Sequence, residues 1–217
     1  MTRGEELAEI LLTGAFVDAW EYIEQFDYLS NVEIYQDIIT PAMVKIGLKW
    51  ENFEITVADE HLASGVCDLI LSRLAATHQF ETNEFAPTAM FLCLSGEQHY
   101  LGLKMVASIF AENGWKIKFL GANLPVQYAL QAAKDWKPDV IGLSVSIAPH
   151  LTALTEYMEA FSYLPKKPRV LLGGRLTNLY DLASFTAIKP EIIPNIFAVD
   201  KWITAFHTEA RKKKIEG

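Results

Sequence analysis

Cysteine is scarce in this sequence. Only Cys67 and Cys93 occur in 217 residues. Each sits in a mostly apolar run, so both are expected to be small core residues, neither a disulfide nor a metal pair. No stretch of 18 or more apolar residues is present, and the opening Met1-Thr2-Arg3-Gly4-Glu5-Glu6 carries no signal-peptide pattern. A soluble, cytoplasmic protein without membrane contact is expected. Positive charge is also short: the net charge is −8 and the isoelectric point about 5.2. DNA binding draws on a positive surface that displaces counterions, so direct nucleic-acid binding is not expected. The one clear basic run, Arg211-Lys212-Lys213-Lys214, reads as a solvated helix end, where cations suit the helix dipole.

What is present is enough for a core. Apolar residues make up 51% of the chain and charged residues 21%, the balance of a folded domain or two small ones. The two halves differ in periodicity. Residues 1–79 read as helices. Leu7, Ile10 and Leu11 form one apolar stripe, and Phe16, Ala19, Trp20 and Ile23 a second, with Gly14 between them. Ser30-Asn31-Val32-Glu33 is a capping box opening a third helix, which carries Ile34, Ile38, Met43, Val44 and Ile46 and a kink at Pro41. Thr56-Val57-Ala58-Asp59 starts a fourth, through His61, Leu62, Val66, Leu69, Ile70 and Leu74. Four short helices predict a bundle.

Residues 79–87 are polar and unpatterned and read as a linker. Beyond them the pattern changes. Residues 88–94 form a nearly continuous apolar run, as in a buried parallel strand. Similar runs recur at 116–120, 140–145, 170–172 and 196–199. Helical segments fall between and after them, at 101–113, 126–136, 151–161, a short one at 180–185, and 201–213. Strands alternating with helices predict an α/β domain over 80–217, flavodoxin-like, with a parallel sheet and helices on both faces. Such folds bind ligands outside the carboxyl ends of their strands.

The strand ends collect chemistry. After the first strand stands Ser95-Gly96-Glu97-Gln98-His99-Tyr100-Leu101-Gly102, after the third Ser144-Val145-Ser146, and after the fourth Gly173-Gly174-Arg175. Taken singly, each has a plain explanation as surface, cap or turn. Taken together at one sheet edge, they define a candidate site. In Glu97-x-His99-x-x-Gly102, a neutral imidazole offers a metal-ligating nitrogen. A carboxylate two residues away can hold the proton on the other nitrogen. A glycine lets a bulky planar group approach the backbone. One histidine with no cysteine or second histidine nearby in sequence cannot build a zinc site. It suits a metal whose other ligands come from a macrocycle, a haem or a corrin.

On these residues the chain resembles the cobalamin-binding modules of methionine synthase and the corrinoid proteins, a four-helix bundle followed by a flavodoxin-like domain. Their pattern is Asp-x-His-x-x-Gly, then Ser-x-Leu or Ser-x-Thr, then Gly-Gly. Here Glu97 stands in place of the Asp. That replacement is similar to the light-sensing cobalamin domains of MerR-type transcriptional regulators. That subfamily carries a second signature in its bundle: a Trp, nine residues, then Glu-His. This chain has Trp50, nine intervening residues, and Glu60-His61.

The resemblance implies that His99 ligates the cobalt of adenosyl- or methylcobalamin from below, with Glu97 orienting it. Gly102, Ser144, Ser146, Gly173 and Gly174 would surround the displaced base and its tail. Trp50, Glu60 and His61 would cap the upper face. The sensors have a His directly after the Trp; here it is Glu51, which leaves His61 as the evident upper-ligand substitute after illumination. The expected protein stands alone, without the MerR DNA-binding domain, and signals through a protein partner or its own oligomer. Three readings follow: a photosensory module, a corrinoid methyl carrier of a methyltransferase system, or a scaffold that has lost its cofactor. The methyl carriers have Asp at the position of Glu97 and a Gly-Asp-x-His-Asp-x-Gly run that this chain lacks. The retained His99 speaks against the scaffold.

Overall fold

The computed structural model describes residues 1–77, 84–180, 182 and 188–216. The chain divides into two compact units, Met1–Gln79 and Phe80–Gly217.

The first unit is helical: α1 (Arg3–Leu12), α2 (Phe16–Glu24), α3 (Asn31–Ile34), α4 (Thr40–Glu51) and α5 (Val57–Thr77). Three helix starts are set by side chains that satisfy otherwise orphaned N–H groups. Thr2 with Glu5 and Ser30 with Glu33 form reciprocal capping boxes. The Asp59 carboxylate accepts from both the backbone N–H and the hydroxyl of Thr56, whose oxygen accepts from Asp59 N–H. Between α3 and α4 the helix does not break at Pro41. It runs through a π-helical segment, Tyr35–Ile39. The wider turn accommodates a proline that cannot donate to the helix ladder. Leu7, Leu11, Ile23, Ile38, Ile46 and Ile70 are buried within the unit. Val44, Leu62 and Leu69, expected on the apolar stripes, are about half exposed.

Among its described residues the second unit holds five strands: β1 (Thr88–Cys93), β2 (Lys116–Gly121), β3 (Val140–Ser144), β4 (Arg169–Gly173) and β5 (Glu191–Ile192). They pair in parallel in the order β2-β1-β3-β4-β5. Helices α6 (Leu101–Glu112), α7 (Val126–Trp136) and α8 (Leu151–Ser162) connect them, and α9 (Ile196–Glu216) follows. Side chains alternate across a strand, so β1 feeds two cores. Met90 and Leu92 join Ala129 and Ala133 of α7 and Leu154, Tyr157 and Phe161 of α8. Phe91 points the other way, edge-on to Phe110 of α6 with ring centroids 5.1 Å apart. Phe110 meets Trp115 at 4.9 Å, and Trp115 meets Phe206 of α9 at 4.7 Å.

The last strand is not at residues 196–199. That run is the first turn of α9, and the short strand β5 precedes it. Asn195 Oδ1 accepts from Ala198 N–H, a side-chain N-cap. Ile196, Val199 and Ile203 are buried at helical spacing. Most of the short helix expected at 180–185 and most of the linker at 79–87 lie outside the described residues.

Cys67 and Cys93 are buried thiols with no disulfide between them, as expected. Among the described residues no helix is long and apolar enough to cross a membrane.

Candidate functional site

The carboxyl ends of β1 and β3 converge on one buried carboxylate. Glu97 has no exposed surface. A buried charge persists only where donors replace water, and Glu97 has four. Its Oε1 lies 2.5 Å from His99 Nδ1 and accepts from His99 N–H at 3.0 Å. Its Oε2 accepts from Ser146 N–H at 2.7 Å and lies 3.3 Å from His150 Nδ1. Burial alone would push the carboxyl up. The hydrogen bonds from the His99 ring and from the backbone of His99 and Ser146 outweigh it and hold Glu97 at about 2. It is therefore an anion at neutral pH.

An anionic partner at Nδ1 fixes His99 with its proton on that nitrogen and its lone pair on Nε2. The His99 side chain is 50% exposed, whereas its partner is buried. The backbone is fixed as well: the His99 carbonyl accepts from Ser144 Oγ at 3.4 Å and from Cys93 Sγ at 3.8 Å. Burial, with the Glu97 charge beside it, pushes the Cys93 thiol up to about 12. Cys93 is therefore a protonated, inert donor rather than a nucleophile.

The loops around this centre are closely fitted. Asn123 Oδ1 accepts from Gly96 N–H at 2.7 Å, and Asn123 N–H donates to the Glu97 carbonyl at 3.0 Å. Tyr157 from α8 accepts from Ser95 N–H at 3.0 Å and donates its hydroxyl proton to the Leu124 carbonyl. Ser144 lies beside Gly173 in the β3–β4 register. Gly174 has φ +109°, and a Cβ there would stand 2.2 Å from the Val145 carbonyl oxygen. Around Gly102, in the first turn of α6, the space a Cβ would take is open.

Glu97, His99, Ser144, Ser146, Gly173 and Gly174 thus cluster at one sheet edge, with Gly102 on the helix that follows β1. Trp50, Glu60 and His61 belong to the helical unit. Trp50 is in the last turn of α4 and is 45% exposed. Glu60 and His61 are in the first turn of α5. Glu60 Oε2 lies 2.8 Å from His61 Nδ1, and its Oε1 accepts from Ser64 Oγ at 2.7 Å.

His150 is the residue that sequence reasoning missed. It stands 53 positions from Glu97 in the chain, so no local spacing links the two. Tyr157 is missed for the same reason, whereas Asn123 falls in the segment after the second strand, at the ligand edge of the sheet, without a role that its sequence position assigns. The expectation of a lone histidine is corrected accordingly: a second imidazole touches the same carboxylate.

Among the described residues no group of three or more histidine, cysteine, aspartate or glutamate side chains is placed to hold a metal ion. One exposed imidazole, braced by a buried carboxylate and flanked by open space at a glycine, fits a metal that brings its remaining ligands in a macrocycle.

A parallel sheet of order 2-1-3-4-5 with an imidazole presented at its carboxyl edge, preceded by a helical unit, defines a corrinoid-type binding module. Residues 4–75 and 87–188 each match a family model described as a B12 binding domain. The chain belongs to that family, and its cofactor is cobalamin. It is 26% identical over 150 residues to the HTH-type transcriptional repressor CarH of Myxococcus xanthus, covering 67% of this chain and 48% of CarH. It is 32% identical over 118 residues to the repressor CarA of the same organism, covering 54% and 38%. The chain thus spans about half or less of the length of the curated relatives it matches. Against methionine synthase of Mycobacterium leprae it is 31% identical over 90 residues, covering 40% of this chain and 8% of that protein. The monomethylamine corrinoid protein of Methanosarcina barkeri shares the fold, with a TM-score of 0.75 at 15% identity over 92% of this chain and 95% of that one.

Proposed function

We propose that this cobalamin-binding module is a photosensory regulatory module in which His99 is the lower axial ligand of cobalt. The observation that carries the ligation is the 2.5 Å contact between His99 Nδ1 and the buried Glu97 carboxylate. It directs Nε2 to the ligand role and raises its basicity. Gly102 leaves room for the ring system to approach. Ser144, Ser146, Gly173 and Gly174 are assigned to the cofactor's displaced base and tail, and Trp50, Glu60 and His61 to its upper face. Bound cobalamin would supply a cobalt–carbon bond that light cleaves; that chemistry belongs to the cofactor.

The regulatory part rests on the relationship to the repressors CarH and CarA. The choice of light rests on Glu97 and on the Trp50 and Glu60-His61 signature. Output follows as a change in self-assembly or in binding to a partner protein, a two-state switch driven by loss of the upper group. The shared fold with the monomethylamine corrinoid protein keeps a methyl carrier as the second reading.

The test is to mix the protein with adenosyl- and methylcobalamin in the dark, record absorption spectra and molecular size, and then illuminate. A sensor shows a histidine-ligated spectrum in the dark and changes spectrum and size in light. Binding without a light-dependent change in size counts against the sensor, since the spectral change alone belongs to the cofactor; no spectral shift with any cobalamin overturns both the sensor and the methyl carrier. A histidine-ligated spectrum that survives His99→Ala overturns the ligand assignment.

A further inference from the structure

Glu97 is shared between two imidazoles. His99 Nδ1 lies 2.5 Å from one carboxylate oxygen and His150 Nδ1 3.3 Å from the other. His150 follows β3 and is separated from Glu97 by α6, β2, α7 and β3, yet its side chain is only 14% exposed. The fold makes room for it. Gly96 has φ +83°, and a Cβ there would stand 2.9 Å from His150 Nε2. A side chain at position 96 would adopt a left-handed backbone and press on the ring of the second imidazole.

We infer that His150 is a positioning residue that tempers His99: by donating to Oε2 of Glu97, it draws charge from Oε1 and weakens the carboxylate's pull on the His99 ring proton. Its effect on cobalt rests on the assignment of His99 as ligand; its effect on the ring proton does not. A carboxylate divides a fixed negative charge between its oxygens. A donor at one oxygen lowers the basicity seen by a donor at the other. Carboxylates that hydrogen-bond a ligating histidine set the donor strength of its free nitrogen. His150 would therefore act on the ligand from a distance, without touching it.

Orientation and charge sharing predict opposite signs, and the geometry favours charge sharing. Ser146 N–H at 2.7 Å and His99 N–H at 3.0 Å already fix both oxygens. The longer contact from His150 is not needed to hold the carboxylate in place. Removing His150 should leave Glu97 where it is and make it a stronger acceptor for His99.

Proton and nitrogen-15 NMR of the cofactor-free protein tests this, with His99 and His150 assigned by substitution. In His150→Leu the His99 Nδ1 proton should move downfield, and in His150→Asn, which keeps a donor at the position of Nδ1, it should return toward the wild-type shift. His150→Ala gives a second deletion should the leucine variant fail to fold. An unmoved or upfield-shifted proton in a folded deletion variant would overturn the inference, as would an asparagine variant that behaves like the deletion. In the cobalamin-loaded protein, the deletion should raise the histidine-ligated fraction. A wild-type protein that binds cobalamin without a histidine-ligated spectrum would refute the ligand assignment alone, leaving the ring-proton measurement to judge the role of His150.

Discussion

The backbone N–H of Ser146 donates to Oε2 of Glu97 at 2.7 Å, so one buried carboxylate ties the loop after β1 to the loop after β3. His99 is thereby referenced to two central strands of the sheet, β1 and β3, rather than to a single loop. Preorganisation of this kind decides whether a site binds at all, because a loose imidazole loses entropy on ligation.

Replacing Glu97 with glutamine keeps the shape and removes the charge. The amide cannot accept from His99 Nδ1 and Ser146 N–H on both of its heavy atoms, so one donor is left facing an NH2 group. Loss of such a supporting partner typically costs about 10–100-fold in metal affinity. Titration of Glu97→Gln with cobalamin should show a fall of that order, with the histidine-ligated band weakened.

The same carboxylate makes the second unit sensitive to acid. Glu97 titrates at about 2 in the fold against an ordinary value of 4.5. Its folded value is depressed, so its contribution is complete above pH 4.5 and fades as the pH falls toward 2. The shift corresponds to about 3 kcal/mol. Urea unfolding between pH 5 and pH 2.5 should show wild-type stability falling more steeply than that of Glu97→Gln, for which this component is absent.

Gly102→Ala separates stability from binding. A Cβ at this position meets open space, and the residue lies in the first turn of α6. Alanine is the better helix former by up to about 1 kcal/mol. Thermal unfolding of the cofactor-free variant should therefore be unchanged or slightly raised. Cobalamin affinity should fall, because the methyl group takes space assigned to the cofactor. Unchanged affinity would remove Gly102 from the site.

Gly174→Ala should behave in the opposite way. Its φ of +109° and the 2.2 Å approach of a Cβ to the Val145 carbonyl oxygen leave no relaxed position for a methyl group. Backbone strain and the clash together should cost about 2–3 kcal/mol, visible as a lowered denaturation midpoint before any cofactor is added.

The strands at the sheet centre were legible because burial on both faces demands continuous apolar runs, and β1 and β3 obey that rule. The run at 196–199 failed as a guide. Four apolar residues fit a strand or a helix turn equally well, and the Asn195 cap that decides between them is a contact rather than a composition. Strand β5 is two residues long and pairs with β4, too short to leave a periodic signal. Proline interrupts an α ladder, so Pro41 implies a kink from sequence alone; the π-helical turn preceding it absorbs the missing donor.

The sequence by itself determined the alternation of strands and helices, the capped helix starts at Ser30 and Thr56, and the Glu97-x-His99 pair, because these depend on neighbours within a few positions. It also carried the cobalamin signatures in both halves. Only the tertiary structure decided that Glu97 is fully buried, that Ser146 and His150 meet it across the sheet edge, and that Gly96 and Gly174 are shaped by close contacts from distant segments. Those relationships arise where strand ends separated by roughly thirty to fifty residues are brought together by parallel pairing, and no spacing along the chain encodes them.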